Sequence, residues 1–327
     1  MTEPILPKKF QPTSFGEVAY LETGSSDRPP VLLIHGIPTS GFLWRHVMRY
    51  LQNDFHCYAP DLMGLGDTRV DPATAEFHME AQAEMLASFM SELGHEEFIV
   101  VCHDQGGAAA QILAARVPQR IRCMVFTDCV CYDNWPVPAI MRLQTVSRLP
   151  LLPDLLNRSG AMAWLETRTR FSNFRKGVHN PSRLSEEAIH EYLRPLQEDL
   201  KRRQAFRAFL LAGHPRYTLS AVSGLKTFDK PTMVIWAADD VYLSPSWGLR
   251  LMEDIPGAER FELVSFCGHF WQEERPAEFA GKIGAFLSDV LSREVPEEAD
   301  ATKPAPTNEK KVARSSKKLP VVTGEVG

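Results

Sequence analysis

The stretch Phe98-Ile-Val-Val-Cys-His-Asp-Gln-Gly-Gly-Ala108 decides the fold. Its apolar start, residues 98–102, reads as a strand buried on both faces, since a half-exposed strand would alternate polar and apolar side chains. Gly106 and Gly107 then allow an abrupt turn, and the alanine-rich sequence from Gly107 reads as a helix. A side chain at the tip of such a strand-turn-helix elbow is held at the carboxyl end of the sheet, beside the unpaired N–H groups that open the helix. Asp104 occupies that tip.

Outward from this elbow the same grammar repeats. Residues 31–34, 57–60 and 123–127 are short, mostly apolar and bounded by turn or polar residues, as expected of parallel strands. Longer amphipathic stretches, 81–93 and 107–117, separate them and suit helical crossovers, so the fold class is α/β. From about residue 134 to 227 prolines punctuate helix-favouring, Arg- and Leu-rich sequence without a strand pattern. Strand patterns resume at 231–237 and 260–264, and a helix over 276–291 closes the fold. The expected organisation is a first core segment (1–134), a helical insertion (135–227), a second core segment (228–292) and a tail (293–327). The tail lacks aromatic residues and periodicity and reads as disordered; its basic cluster, Lys303, Lys310, Lys311, Arg314, Lys317 and Lys318, reads as solvated.

Composition narrows the function classes. With 36 Lys plus Arg against 41 Asp plus Glu, the 327-residue chain has a formal charge of −5 and no global positive field to hold nucleic acid or an anionic membrane. No apolar run approaches the ~18 residues of a membrane span. The start, MTEPILPKKFQPTSFG, lacks the cationic and apolar segments of a signal peptide. A cytoplasmic monomer or homodimer without nucleic-acid or membrane partners is expected. The six cysteines form no CxxC pair and have no histidine at metal spacing, so they are read as small apolar side chains, and no metal is expected.

A lone Asp before Gly-Gly is ordinarily a helix N-cap. Three further elements, in a fixed order, change that reading. His35-Gly36-Ile37-Pro38 directly follows a strand; Trp236-Ala-Ala-Asp-Asp240 puts an acid just past a late strand; Cys267-Gly-His269 puts a histidine in a glycine turn past the final strand. Nucleophile, acid and histidine in this order are what an α/β sheet needs to gather a hydrolytic triad at one end.

On the motifs HGIPTSGFLWR, APDLMGLGDT, HDQGG and CGHFWQEERP, residues 15–292 resemble the α/β-hydrolase fold enzymes with an aspartate nucleophile: epoxide hydrolases and the haloalkane and haloacetate dehalogenases. Cys102 stands where the elbow motif usually has its first glycine. The resemblance implies a mostly parallel sheet flanked by helices, with the insertion as a helical cap. It implies Asp104 as nucleophile, His269 as base and Asp240 as the acid; Asp128, after the preceding strand, is the alternative acid. The backbone N–H groups of Ile37 and Gln105 would form the oxyanion hole. A carboxylate attacks saturated carbon without prior deprotonation, forming an ester that water then hydrolyses, so no cofactor is needed.

For the substrate, dehalogenases of this kind use an Asn after the HG pair and a Trp after the nucleophile to hold halide, where this chain has Ile37 and Gln105. Epoxide hydrolases protonate the ring oxygen from cap tyrosines, and the segment 184–192 resembles the helix carrying one of them, which makes Tyr192 the candidate proton donor. His35, Trp44, Trp135, Trp164 and Trp271 are the candidate lining of an apolar pocket, each with a competing reading as ordinary turn or core packing. The expectation is an epoxide hydrolase acting on a small apolar organic substrate with water. The alternatives are a dehalogenase and a non-catalytic ligand-binding protein of the same fold.

Overall fold

The computed structural model describes residues 6–149 and 151–294, so the tail beyond residue 294, with its basic cluster, lies outside the described residues. Eight strands form one sheet: β1 (Lys9–Thr13), β2 (Gly16–Thr23), β3 (Pro30–Ile34), β4 (His56–Pro60), β5 (Phe98–Asp104), β6 (Ile121–Cys129), β7 (Thr232–Ala237) and β8 (Ala258–Val264). Their spatial order is β1-β2-β4-β3-β5-β6-β7-β8. β1 and β2 pair antiparallel, as do β2 and β4, and every pair from β4 to β8 is parallel. This is the mostly parallel sheet flanked by helices that the sequence predicts. The central strands are apolar because helices cover both faces: every residue of β5 and β7 is buried. Ile99, Val100 and Val101, fully buried, are each worth ~2 kcal/mol of apolar transfer.

The helices are α1 (Arg45–Leu51), α2 (Met79–Glu92), α3 (Gly106–Arg116), α4 (Pro138–Ser147), α5 (Leu152–Arg158), α6 (Ala161–Arg168), α7 (Asn173–Lys176), α8 (Glu186–Glu198), α9 (Leu200–Ala212), α10 (Arg216–Leu225), α11 (Ser246–Asp254), α12 (Trp271–Glu274) and α13 (Pro276–Glu294). The chain between β6 and β7 is helical, α4 to α10, with no strand among the described residues. Its last helix, α10, packs on α3 of the core. Gly224 makes that possible, for a Cβ there would stand 2.3 Å from the Cβ of Ala115.

The sheet order puts the carboxyl ends of β5, β6 and β7 side by side, with the loop after β8 next to them. Asp104 ends β5, Asp128 is the penultimate residue of β6, and Asp240 and His269 stand in the loops after β7 and β8. No helix of the described residues is long and apolar enough to cross a membrane. All six cysteines are buried and unbridged.

Candidate active site

The elbow is built by close approach. A Cβ on Gly106 would stand 2.5 Å from the carbonyl oxygen of His35 and 2.6 Å from that of Ile34, and one on Gly107 would stand 2.5 Å from the Cβ of Cys129. Only glycine lets α3 start so near β3 and β6. The tight turn leaves Asp104 in the left-handed region, φ 49°, a conformation that costs a non-glycine residue about 1–3 kcal/mol and that marks functional turns. Gly36 serves the same end, since a Cβ there would meet Asp104 Oδ1 at 2.1 Å. The consequence is a donor within reach: Ile37 N donates to Asp104 Oδ1 at 2.8 Å, and the Gln105 N–H also faces the carboxylate.

His269 Nε2 lies 3.5 Å from Asp104 Oδ2, and His269 Nδ1 lies 2.9 Å from Asp240 Oδ2. The other oxygen of Asp240 accepts from Tyr242 N at 2.7 Å and Leu243 N at 3.0 Å, so the buried carboxylate is fully satisfied and aimed. Asp128 is engaged elsewhere. Its Oδ1 accepts from Ala237 N (2.9 Å), and its Oδ2 from Thr127 Oγ1 (2.6 Å) and Trp271 Nε1 (2.8 Å). Asp128 thereby ties the roots of the acid and histidine loops together, and the carboxylate at the imidazole is Asp240.

The electrostatics follow from burial and these contacts. Burial works against the charge on Asp104, but His269, His103 and the Gln105 N–H outweigh it and hold the carboxyl below its usual value. Burial likewise opposes a charged His269, yet Asp240 and Asp104 raise it well above the usual histidine value. Burial and the charge of Asp240 push Asp128 up to about 8. His103 is pushed down to about 3, first by burial and then by His269. Its Nε2 lies 2.9 Å from the carbonyl oxygen of His269; a carbonyl only accepts, so that nitrogen carries the proton and braces the histidine loop. His35, buried and pushed down to about 4, accepts from Leu62 N through Nε2 at 2.9 Å and holds the turn rather than bordering an open pocket.

Several expected pocket residues stand elsewhere. Trp44 packs on Phe279, ring centroids 5.7 Å apart, because α1 lies against α13. Trp135 donates to Thr218 Oγ1 at 2.8 Å, and Trp271 is committed to Asp128. Trp164 is 62% exposed, on the outer surface of α6. Tyr192 is buried in α8, whose predicted start holds: Ser185 caps it by accepting from Ala188 N. The Tyr192 hydroxyl, however, donates to Glu273 instead of standing free, and Arg45 grips the same carboxylate at 2.6 and 2.8 Å. Burial and Glu273 raise the phenol well above its usual value.

Residues the motif reading passed over complete the site. Tyr242 sets its ring edge-on to His269, centroids 5.4 Å apart, and its hydroxyl donates to the carbonyl of Asn173 at 2.6 Å. Glu274 accepts from Gly268 N at 2.9 Å and from Asn180 N at 2.6 Å, while Phe270 N donates to Gly177 O at 2.9 Å. Segment 173–180 of the helical insertion is thus stapled to both the histidine and acid loops. Glu273 and Glu274 stand inside the CGHFWQEERP motif, but an acidic pair opening a short helix looks solvated in sequence.

A family model described as alpha/beta hydrolase fold matches residues 29–276. Haloalkane dehalogenase 2 of Mycobacterium tuberculosis is 28% identical over 284 residues, covering 83% of this chain and 91% of that protein. Cis-3-alkyl-4-alkyloxetan-2-one decarboxylase of Shewanella oneidensis is 25% identical over 305 residues, 89% of this chain and 92% of its own length. Among solved structures, the epoxide hydrolase CorEH superposes with a TM-score of 0.72 at 22% identity, covering 88% of this chain and all (100%) of that one.

Proposed function

The chain belongs to the α/β-hydrolase fold family, and from that premise we propose that it is an epoxide hydrolase working through an ester on Asp104. The observation that carries the reading is the line Asp104, His269, Asp240, with 3.5 and 2.9 Å between successive side chains. Haloalkanes, oxetanones and epoxides, the compounds named by the relatives, all offer a saturated carbon bonded to a leaving atom, which suits an aspartate nucleophile.

The Asp104 carboxylate, anionic through the neutral range, attacks a ring carbon; the new C–O bond forms as the ring C–O bond breaks. The departing alkoxide takes the Tyr192 proton, for which the phenol turns from Glu273. Water then adds to the carbonyl carbon of the Asp104 ester while His269 Nε2 accepts its proton, and the oxyanion lies between the Ile37 and Gln105 N–H groups, each worth ~3 kcal/mol. Collapse frees the diol and the Asp104 carboxylate and leaves His269 protonated, as it was before attack. The charges order the two steps. While Asp104 is ionised it helps to keep His269 protonated; ester formation removes that charge and lowers the proton affinity of the imidazole, which returns a proton to the Tyr192 phenolate and stands neutral, able to accept from water, only once there is an ester to hydrolyse.

The epoxide reading rests on what stands around Asp104: Ile37 has no side-chain N–H for a halide, and Gln105 supplies one amide at most. Dehalogenation is the second reading, favoured by the engagement of Tyr192 with Glu273. Incubation with a panel of epoxides and haloalkanes, following diol and halide, separates them. Diol formation is expected; halide without diol overturns the choice, and neither product leaves a non-catalytic ligand-binding protein.

A further inference from the structure

Helices α5 and α6 expose apolar side chains that a soluble surface ordinarily hides. Leu151 is 83% exposed, Leu155 and Trp164 62% each, Phe171 57%, and Leu149 and Leu152 47% and 41%. Leu152 and Leu155 lie on α5, Trp164 on α6, and Leu149, Leu151 and Phe171 on the segments that flank them, and α5 packs against both α4 and α6, so these exposed residues stand on neighbouring elements. Lone exposed leucines need no explanation, but a cluster of this kind within some twenty residues marks a contact surface.

The charges around it are one-sided. Between residues 138 and 171 the exposed charged residues are all arginines: Arg142, Arg148, Arg158, Arg168 and Arg170. The two acids of the segment are paired within the protein, part-exposed Asp154 with Arg203 and buried Glu166 as acceptor from Asn173, and Arg168 is answered by Glu186 at 2.9 Å, which leaves Arg142, Arg148, Arg158 and Arg170 to carry the excess. The chain as a whole carries −5, so this face is a local inversion of sign that the net charge conceals.

We propose that α4, α5 and α6 form a peripheral docking face for an anionic lipid surface. Leucines and an aromatic residue entering the headgroup boundary, with arginines beside them, are the make-up of helices that lie on a membrane without crossing it. The same charges disfavour a second copy as the occupant. A twofold contact would set each arginine-rimmed patch on its own duplicate, bringing like charges together as the apolar residues met. An anionic headgroup layer answers both the apolar and the cationic halves of the face. Vesicle binding needs no turnover, so the inference stands apart from the catalytic reading.

The test is flotation of the full chain with vesicles of phosphatidylcholine plus phosphatidylglycerol and with vesicles of phosphatidylcholine alone. Trp164 is the reporter, since Trp44, Trp135, Trp236 and Trp271 are buried and Trp247 is half-buried. Expected are binding to the anionic vesicles that salt weakens, a blue shift of tryptophan emission, and about a fivefold loss of partition for each of Arg148→Gln and Arg158→Gln. Leu155→Asp should abolish binding while leaving the circular dichroism spectrum and turnover of a water-soluble epoxide intact. No binding to the anionic vesicles, equal binding to both compositions, or undiminished binding by Leu155→Asp overturns the proposal. A wild-type dimer that Leu155→Asp dissociates, without vesicle binding by either, assigns the face to a second copy instead.

Discussion

Replacing Asp240 by Asn separates the two chemical steps. In the structure Asp240 Oδ1 accepts from Tyr242 N at 2.7 Å and Leu243 N at 3.0 Å, and an asparagine oxygen keeps both bonds. Its amide nitrogen must then occupy the other position, 2.9 Å from His269 Nδ1, where it donates instead of accepting. His269 is forced into the tautomer with its proton on Nε2, the nitrogen that faces Asp104 and must take the proton of water. Tautomer inversion of this kind costs about 10⁴ in rate, ~5.5 kcal/mol of barrier. Attack by Asp104 needs no base, so the ester still forms. Rapid-quench kinetics and intact-protein mass spectrometry should show one equivalent of product-sized adduct accumulating on Asp240→Asn. Near-normal turnover by this variant, together with an inactive Asp128→Asn, would refute the assignment of the acid.

Three other perturbations test different parts of the account. Gly106→Ala puts a Cβ 2.5 Å from a backbone oxygen, so little folded protein or a much lowered Tm is expected, and normal thermal stability would show that α3 can shift. Asp67, with a side chain 7% exposed, accepts from Lys8 and Arg194 at 2.7 Å each and from Arg202, joining the residue before β1 to α8 and α9; Asp67→Asn should lower unfolding free energy by about 3 kcal/mol in urea titrations. Asp128 ionises near 3.8 when unfolded and only near about 8 when folded, so the native state binds the extra proton between those values and stability falls as pH rises through them. Asp128→Asn should flatten that fall in urea midpoints measured across the same window; an unchanged slope would show that Asp128 is ionised in the folded protein.

What was legible in the sequence follows a physical divide. The parallel strands announce themselves because burial on both faces leaves only apolar residues, and β3, β5 and β7 stand within a residue or two of their expected bounds. β1 was hidden because Pro12 suggests a break, yet an edge strand tolerates a proline whose missing N–H faces away from the ladder. In the site, residues fixed by backbone geometry were readable: a glycine turn declares where Asp104 and His269 must stand. The lining was not, because a tryptophan carries the same sequence signal whether it packs on Phe279, as Trp44 does, or lies on the surface, as Trp164 does. The same limit hid the Arg45, Glu273 and Tyr192 cluster, whose members are brought together only by the tertiary fold.

Everything catalytic in this account depends on a bond between Asp104 and the substrate. A single turnover in oxygen-18 water, with enzyme in excess, measures it directly. Unlabelled diol and one labelled oxygen in the peptide carrying Asp104 are expected. Label in the diol, with Asp104 unlabelled, would mean that water attacks the substrate directly, and would contradict the covalent mechanism.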